Sequence, residues 1–273
     1  MIKEIYIHTM EDLYPLLTEQ TYRSDIDRNR NLYVYRGMTR SYYDIVTSLD
    51  RNCKDKKAIL EPSILRNFTK YAALEDPSIK DSIWRQMILG QHHGLPTRLL
   101  DWSRSPLIAL HFAVTERNMD NINKYDGVVW RVDLDEQYKH LPASYRAVTK
   151  KYNTTIYSVD MFNEACSSLR QYDEDMQGRS MMFIEPPSID PRIVNQYSFF
   201  SIVPTHMESI IDFFATNDNQ KTVKYIISKD LRWRIRDMLD QYNVNERIVY
   251  PGLDGISTWI ARHYFVKENE ENL

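Results

Sequence analysis

The tightest constraint on this chain is one stretch, Gln91-His92-His93-Gly94-Leu95-Pro96-Thr97-Arg98-Leu99-Leu100-Asp101-Trp102. It sets two histidines, an arginine, an aspartate, a threonine and a glutamine between apolar flanks, Met87-Ile88-Leu89 before it and Leu107-Ile108-Ala109-Leu110 after it. Such flanks carry the stretch into the body of the protein, where an ionised side chain needs a partner. A polar cluster held there is either a structural lock or a site. As a lock, Asp101 accepts backbone N–H groups and Arg98 crosses back to it beside Thr97. Trp102 and the Leu99-Leu100 pair read as core.

Composition sets the frame for that cluster. A chain of 273 residues with 42% hydrophobic content can bury one sizeable core,. A net charge of −3 argues against a molecule that coats polyanions, while local basic patches stay open,. Cys53 and Cys166 follow no metal spacing, which fits free thiols in a reducing compartment, so a cytoplasmic location is expected,. No apolar run approaches the roughly 18–20 residues of a spanning helix, the start of the chain lacks a signal-peptide stretch, and no membrane partner is expected. The scattered His111, His140, His206 and His263 show no ligand spacing, and adjacent His92 and His93 point roughly 100° apart on a helix,. No metal is expected.

Along the chain, Ile2 to Ile7 alternates like a strand, and Thr9 caps a helix to about Thr21,. Leu32 to Gly37 is rich in β-formers and places Arg36 at a sheet edge, with Gly37 allowing a sharp exit or a close backbone approach,. A short helix from Ser41, a loop or strand at Ser48 to Arg51, and a helix opening at Glu61-Pro62-Ser63 follow,. Ser78 caps a helix from about Ile79 to His93, which Gly94 stops,. Ser105-Pro106 starts an apolar, buried helix,. Later strands are expected at Gly127 to Leu134, Ser180 to Ile184, Tyr197 to Val203, Val223 to Ser228 and Ile248 to Tyr250,. Helices are expected at Asp160 to Leu169, Lys229 to Tyr242 and about Ile256 to Val266, before a Glu-rich tail that frays,. The segment 135–159 has no assignment. The sum is an α+β single domain, with helices largely from the first half packed on a mixed, mostly antiparallel sheet.

Several pieces together resemble the FRG-domain family, named for a Phe-Arg-Gly signature whose Phe position is held here by Tyr35. They are Tyr35-Arg36-Gly37, the block from Gln91 through Trp102 to Ala113, Arg192 with Gln196 and Phe199, and Tyr250-Pro251-Gly252-Leu253-Asp254-Gly255. The resemblance spans about residues 30–262, leaving 1–29 as an N-terminal strand and helix and 263–273 as a tail. The family occurs mostly in bacteria and their viruses. An arginine closing an early strand before a glycine, followed by a later aromatic strand ending in serine, is similar to the Arg-Ser-Glu class of ADP-ribosyltransferases. That resemblance implies an ADP-ribosyltransferase-like core and NAD as substrate, a protein or nucleic-acid acceptor, and a toxin or phage-defence setting. Arg36 then grips a phosphate, since a guanidinium binds phosphate oxygens in pairs. Ser201 braces the site, and Asp254 or Glu246 stands where the class has its glutamate.

Three functions stay open from the residues. A NAD-cleaving transferase uses Arg36 on the pyrophosphate, His92 and Gln196 on the ribose or nicotinamide, and Asp254 or Glu246 as the carboxylate. A hydrolase or nuclease uses His92 as general base oriented by Asp101. A module without turnover recognises a phosphate-bearing ligand through Arg36, Arg98 and Arg192; for NAD as cofactor substrate the expected binding residues are Arg36, Thr97, Arg98, Arg192, Gln196 and Ser201. Against each stands a structural reading, in which Arg36 pairs with Asp101 or another carboxylate, and Arg192 and Gln196 share a solvated turn.

Overall fold

The computed structural model describes residues 2–18, 21–74, 76–216 and 219–266. Its strands are β1 (Lys3–Ile7), β2 (Thr21–Arg23), β3 (Arg28–Arg30), β4 (Tyr33–Met38), β5 (Leu99–Ser103), β6 (Gly127–Asp133), β7 (Met182–Ile184), β8 (Ser198–Ile202) and β9 (Val223–Ile227). β2 and β3 form a separate hairpin, and the other seven make one sheet in the order β1-β9-β6-β4-β5-β8-β7. Among the described strands β1 and β9 pair parallel and the other pairings are antiparallel, so the sheet is mixed and mostly antiparallel.

The join between β4 and β5 is unlike the others. β4 pairs with β6 over six residues and β5 with β8 over five, yet β4 and β5 share the single register pair Tyr35↔Ser103. Past that pair, Arg36–Met38 and Leu99–Trp102 face each other without a ladder. The side chains above the sheet divide at the same seam. On the face carrying Tyr35, Val129 and Tyr225, one core gathers the helices Leu13–Thr18, Pro106–Val114 and Arg232–Gln241 over β1, β9, β6 and β4. On the same face, carrying Leu99, Phe200 and Ile202, a second core gathers Ile83–His92, Ala143–Lys151, Val159–Ala165 and Leu169–Met176 over β5, β8 and β7. A third core lies on the opposite face and spans both halves through Val34, Leu100, Trp102, Trp130, Phe183 and Phe199.

Two local features hold β4 and β5 in place. Gly37 is a site of close approach, because a Cβ there would lie 1.8 Å from the Ala109 carbonyl oxygen of the Pro106–Val114 helix,. That helix starts as expected, with Ser105 capping Ile108 N–H and Pro106 in the first turn,. At the start of β5, buried Arg98 binds Glu61 of the Lys57–Ala72 helix through Nε (2.8 Å) and Nη2, and Asp173 of the Leu169–Met176 helix through Nη1 (2.8 Å). Burial works against the Arg98 charge, but the bonds to Glu61 and Asp173 outweigh it and hold its pKa above the ordinary value,.

Several sequence expectations are corrected. No helix opens at Ser41, and Ser48–Cys53 is a helix with a Thr47–Asp50 capping box,. The next helix begins at Lys57, so Pro62 stands inside it and not in its first turn. Ser82, not Ser78, caps the Ile83–His92 helix, preceded by a 3₁₀ turn at Pro77–Asp81. The region around Asp160 is two helices, each with its own serine cap, Ser158 and Ser168. Glu246–Val249 is a helical turn where a strand was expected, and the last helix is Leu253–His263. The unassigned segment holds Leu134–Lys139 and Ala143–Lys151. The first helix is Leu13–Thr18, starting later than a Thr9 cap implies, and Thr21 belongs to β2 and not to that helix; residues 19 and 20, and the tail from residue 267, lie outside the described residues. No described helix is long and apolar enough to cross a membrane.

Candidate functional site

The seam between β4 and β5 opens into a cavity of about 170 Å³ lined by Tyr35, Arg36, Gly37, Asp101, Ser103, Phe112, Arg192 and Gln196 among others. A second cavity of about 440 Å³ shares Arg192 with it and is lined by His92, Asp190, Tyr250, Asp254 and Thr258. Together they fall in the size range of small-molecule sites, roughly 300–1,000 Å³.

Arg36 sits half-buried on the seam and does the work of the missing ladder, donating from Nη1 to the Asp101 backbone carbonyl at 2.6 Å. Its buried Nε has no hydrogen-bond partner among the described residues. Burial lowers its pKa, opposed by the charge of Asp101 and reinforced by Arg51, and an arginine so lowered still carries its charge at neutral pH,. The structural reading of Arg36 as the salt-bridge partner of the Asp101 carboxylate therefore gives way to a backbone contact. The Asp101 carboxylate points outward from β5 and accepts from Gln91 Nε2 at 3.1 Å, while Gln91 Oε1 accepts from Thr97 Oγ1 at 2.6 Å.

Arg192 lies in the short Pro191–Asn195 helix and stacks its guanidinium on the Tyr250 ring at 5.1 Å from the centroid. It makes no hydrogen bond or ion pair to a carboxylate among the described residues. Gln196 closes that helix and donates from Nε2 to the Val249 carbonyl at 3.0 Å, which tethers it to the Glu246–Val249 turn. At the second cavity, His92 Nε2 stands 3.2 Å from Asp190 Oδ2, and the other oxygen of that carboxylate caps the Pro191–Asn195 helix by accepting from Arg192 N–H at 2.6 Å. Burial pulls the His92 pKa below its ordinary value. Asp190 opposes this, and Arg192 and His93 add to it,. Asp254 is exposed in the first turn of the Leu253–His263 helix, where Gly255 is required because a Cβ would meet the Tyr250 carbonyl.

The expected residues thus separate into two sets. The structure brings Arg36, His92, Arg192, Gln196 and Asp254 to the adjoining cavities. Thr97, Arg98, Ser201 and Glu246 are all buried away from them. Thr97 and Arg98 serve the packing of β5, and Arg98 reaches Glu61 and Asp173, not Asp101 as the lock reading has it. Ser201 is fully buried and accepts from Trp102 Nε1 at 3.0 Å. Glu246 is bound by Arg262 through Nε (2.8 Å) and Nη2 (2.9 Å); burial raises its pKa, but Arg262 and Arg236 more than reverse this. A carboxylate so committed is no candidate for chemistry in the cavities. The expected His92–Asp101 couple is also replaced, since the carboxylate beside His92 is Asp190. The sequence reading passed over Asp190 and Tyr250 as individual site residues, although Asp-Pro-Arg is a helix-start signature that marks Asp190 as a cap,. Among the described residues no group of three or more His, Cys, Asp or Glu could hold a metal ion.

Residues 31–122 match the family model of the FRG domain. That span contains Arg36, His92 and Asp101, while Asp190, Arg192, Gln196, Tyr250 and Asp254 lie beyond it. No curated protein and no solved structure matches the chain.

Proposed function

For a chain that carries an FRG domain, we propose an ADP-ribosyltransferase-like enzyme that binds NAD in the seam cleft, cleaves its nicotinamide bond and passes ADP-ribose to an acceptor. The observation that carries this reading is a pair of guanidinium groups that bind no carboxylate among the described residues, Arg36 and Arg192, on the walls of adjoining cavities that end on an exposed carboxylate, Asp254. The Arg36 guanidinium, which lines the cavity and spends Nη1 on a backbone carbonyl, and that of Arg192, held over an aromatic ring, fit phosphate oxygens, which accept charge-assisted hydrogen bonds from such groups,. Asp254 is the group that takes a ribose hydroxyl and stabilises the oxocarbenium-like charge that develops as nicotinamide leaves. Tyr250 and Phe112 offer aromatic walls, and Gln196, tied to Val249, holds the short helix that carries Arg192. A protein or nucleic-acid acceptor in a bacterial toxin or phage-defence setting belongs to the same proposal.

The test is incubation of the full chain with NAD, following nicotinamide release and label transfer to protein, RNA and DNA mixtures. Arg36→Ala is expected to weaken NAD binding and lower kcat/KM by about 100-fold or more. Asp254→Asn is expected to keep binding and lower kcat by about 10²–10³-fold, the size of a lost transition-state contact. No release, with NAD also failing to raise the melting temperature, overturns the proposal. Binding without release favours the phosphate-ligand module, which rests on the same two arginines.

A further inference from the structure

The neighbourhood of His92 holds more than a nucleotide grip needs. His92 ends the Ile83–His92 helix and turns its ring edge-on to His93, with centroids 5.1 Å apart. Its Nε2 faces Asp190 Oδ2 at 3.2 Å, and Asp190 cannot swing away, because its Oδ1 is held by the Arg192 N–H at 2.6 Å. An imidazole whose Nε2–H is taken by a carboxylate leaves Nδ1 as the free base. That ring lines the same cavity as Asp254 and Thr258.

We propose that His92 is the general base that activates the acceptor, with Asp190 as the positioning residue that fixes its tautomer and orientation. The inference rests on the NAD-cleaving reading of the cleft and deepens it: the acceptor group is one that must lose a proton, a hydroxyl, an amine or water. In the step, the acceptor's X–H bond breaks and the proton passes to His92 Nδ1. The X–C1′ bond forms as the C1′–N bond to the pyridinium ring breaks, and that bond's electron pair leaves with nicotinamide, which becomes neutral. The positive charge lost from the pyridinium reappears on the imidazolium, where Asp190 balances it.

The groups facing His92 are Asp190 and Arg192 from the Pro191–Asn195 helix region, His93 from its own helix end, and Asp254 and Tyr250 across the cavity. Burial, Arg192 and His93 keep the ring below the ordinary histidine value of 6.5, so it is neutral and competent as a base at pH 7. Turnover should therefore rise with pH through an acid limb lying below 6.5 and level off above it.

The deciding experiment is the pH dependence of nicotinamide release by the wild-type chain, His92→Gln and Asp190→Asn, with thermal melts and NAD-induced melting shifts for all three. The proposal expects His92→Gln to bind NAD but lose about 10²–10⁴ in kcat and the acid limb with it. It expects Asp190→Asn to move the limb to lower pH and reduce kcat with KM for NAD unchanged. A His92→Gln chain that keeps wild-type kcat and the acid limb overturns the dyad while leaving NAD cleavage standing. If the wild type releases no nicotinamide, the NAD reading fails by itself, and ¹⁵N shifts of the His92 ring decide the dyad. An Nε2–H tautomer at pH 7 that Asp190→Asn disturbs supports a base for another substrate, and an Nδ1–H or protonated ring overturns it.

Discussion

Arginine is used in this protein in two opposed ways, and the difference is set by what each guanidinium faces. Arg98 is saturated by Glu61 and Asp173 in the core, and Arg262 by Glu246 and Asp240, so each is locked by two carboxylates. Arg36 and Arg192 are left with a backbone carbonyl and an aromatic face. Glu61→Gln weakens the two charged hydrogen bonds that buried Arg98 makes to Glu61 while Asp173 still balances the guanidinium, so it should destabilise the fold by about 1.5–3 kcal/mol in denaturant titrations,. Arg36→Ala breaks no ion pair, and its melting temperature should move far less while NAD binding is lost. A drop comparable to that of Glu61→Gln would mark Arg36 as a structural residue. The sequence named both Arg36 and Arg98 but had no means of telling them apart. The partners of Arg98 lie 37 and 75 positions away, and no local signal links them.

At the scale of elements, the Pro106–Val114 helix, with its serine cap, proline start and nearly continuous apolar run, was legible almost to the residue. So were β4, β6, β8 and β9, whose β-branched and aromatic residues mark buried strands. The Ser48–Cys53 and Glu246–Val249 helices were not, because pieces this short owe their shape to capping and packing and not to periodicity,. The close packing of the Pro106–Val114 helix on β4 gives a sharp test at Gly37. In Gly37→Ala the new Cβ would meet backbone atoms of Ala109 and Ala113, which cannot yield without moving the helix. A loss of about 3 kcal/mol or more is expected by chemical denaturation. An unchanged midpoint would show that the helix can shift freely.

Over the whole molecule, the C-terminal helices are fastened to the Pro106–Val114 helix by a buried charged cluster around His111. Arg236 Nη1 donates to His111 Nδ1 at 2.8 Å, which requires the neutral ring. Burial, together with the charges of Arg236 and Arg262, holds its pKa well below 6.5. The folded chain therefore resists a proton that the unfolded chain accepts. The stability this contributes is present above pH 6.5 and is lost as pH falls below it, by up to about 1.4 kcal/mol per pH unit until the folded ring itself titrates. His111→Gln should flatten the pH dependence of the melting temperature between pH 6.5 and 5, and an unaltered slope would remove His111 as its source. The α+β class and the mostly antiparallel sheet were readable from the order of the elements. The seam was not, because it arises where two strands distant in sequence fail to pair over their full length. That seam is the centre of the functional account, and calorimetric titration of NAD into the full chain and into Arg36→Ala examines it most directly. The account predicts saturable binding to the wild type and binding weakened by about 100-fold or more in the folded variant. No binding to the wild type, or equal binding to both, would contradict it.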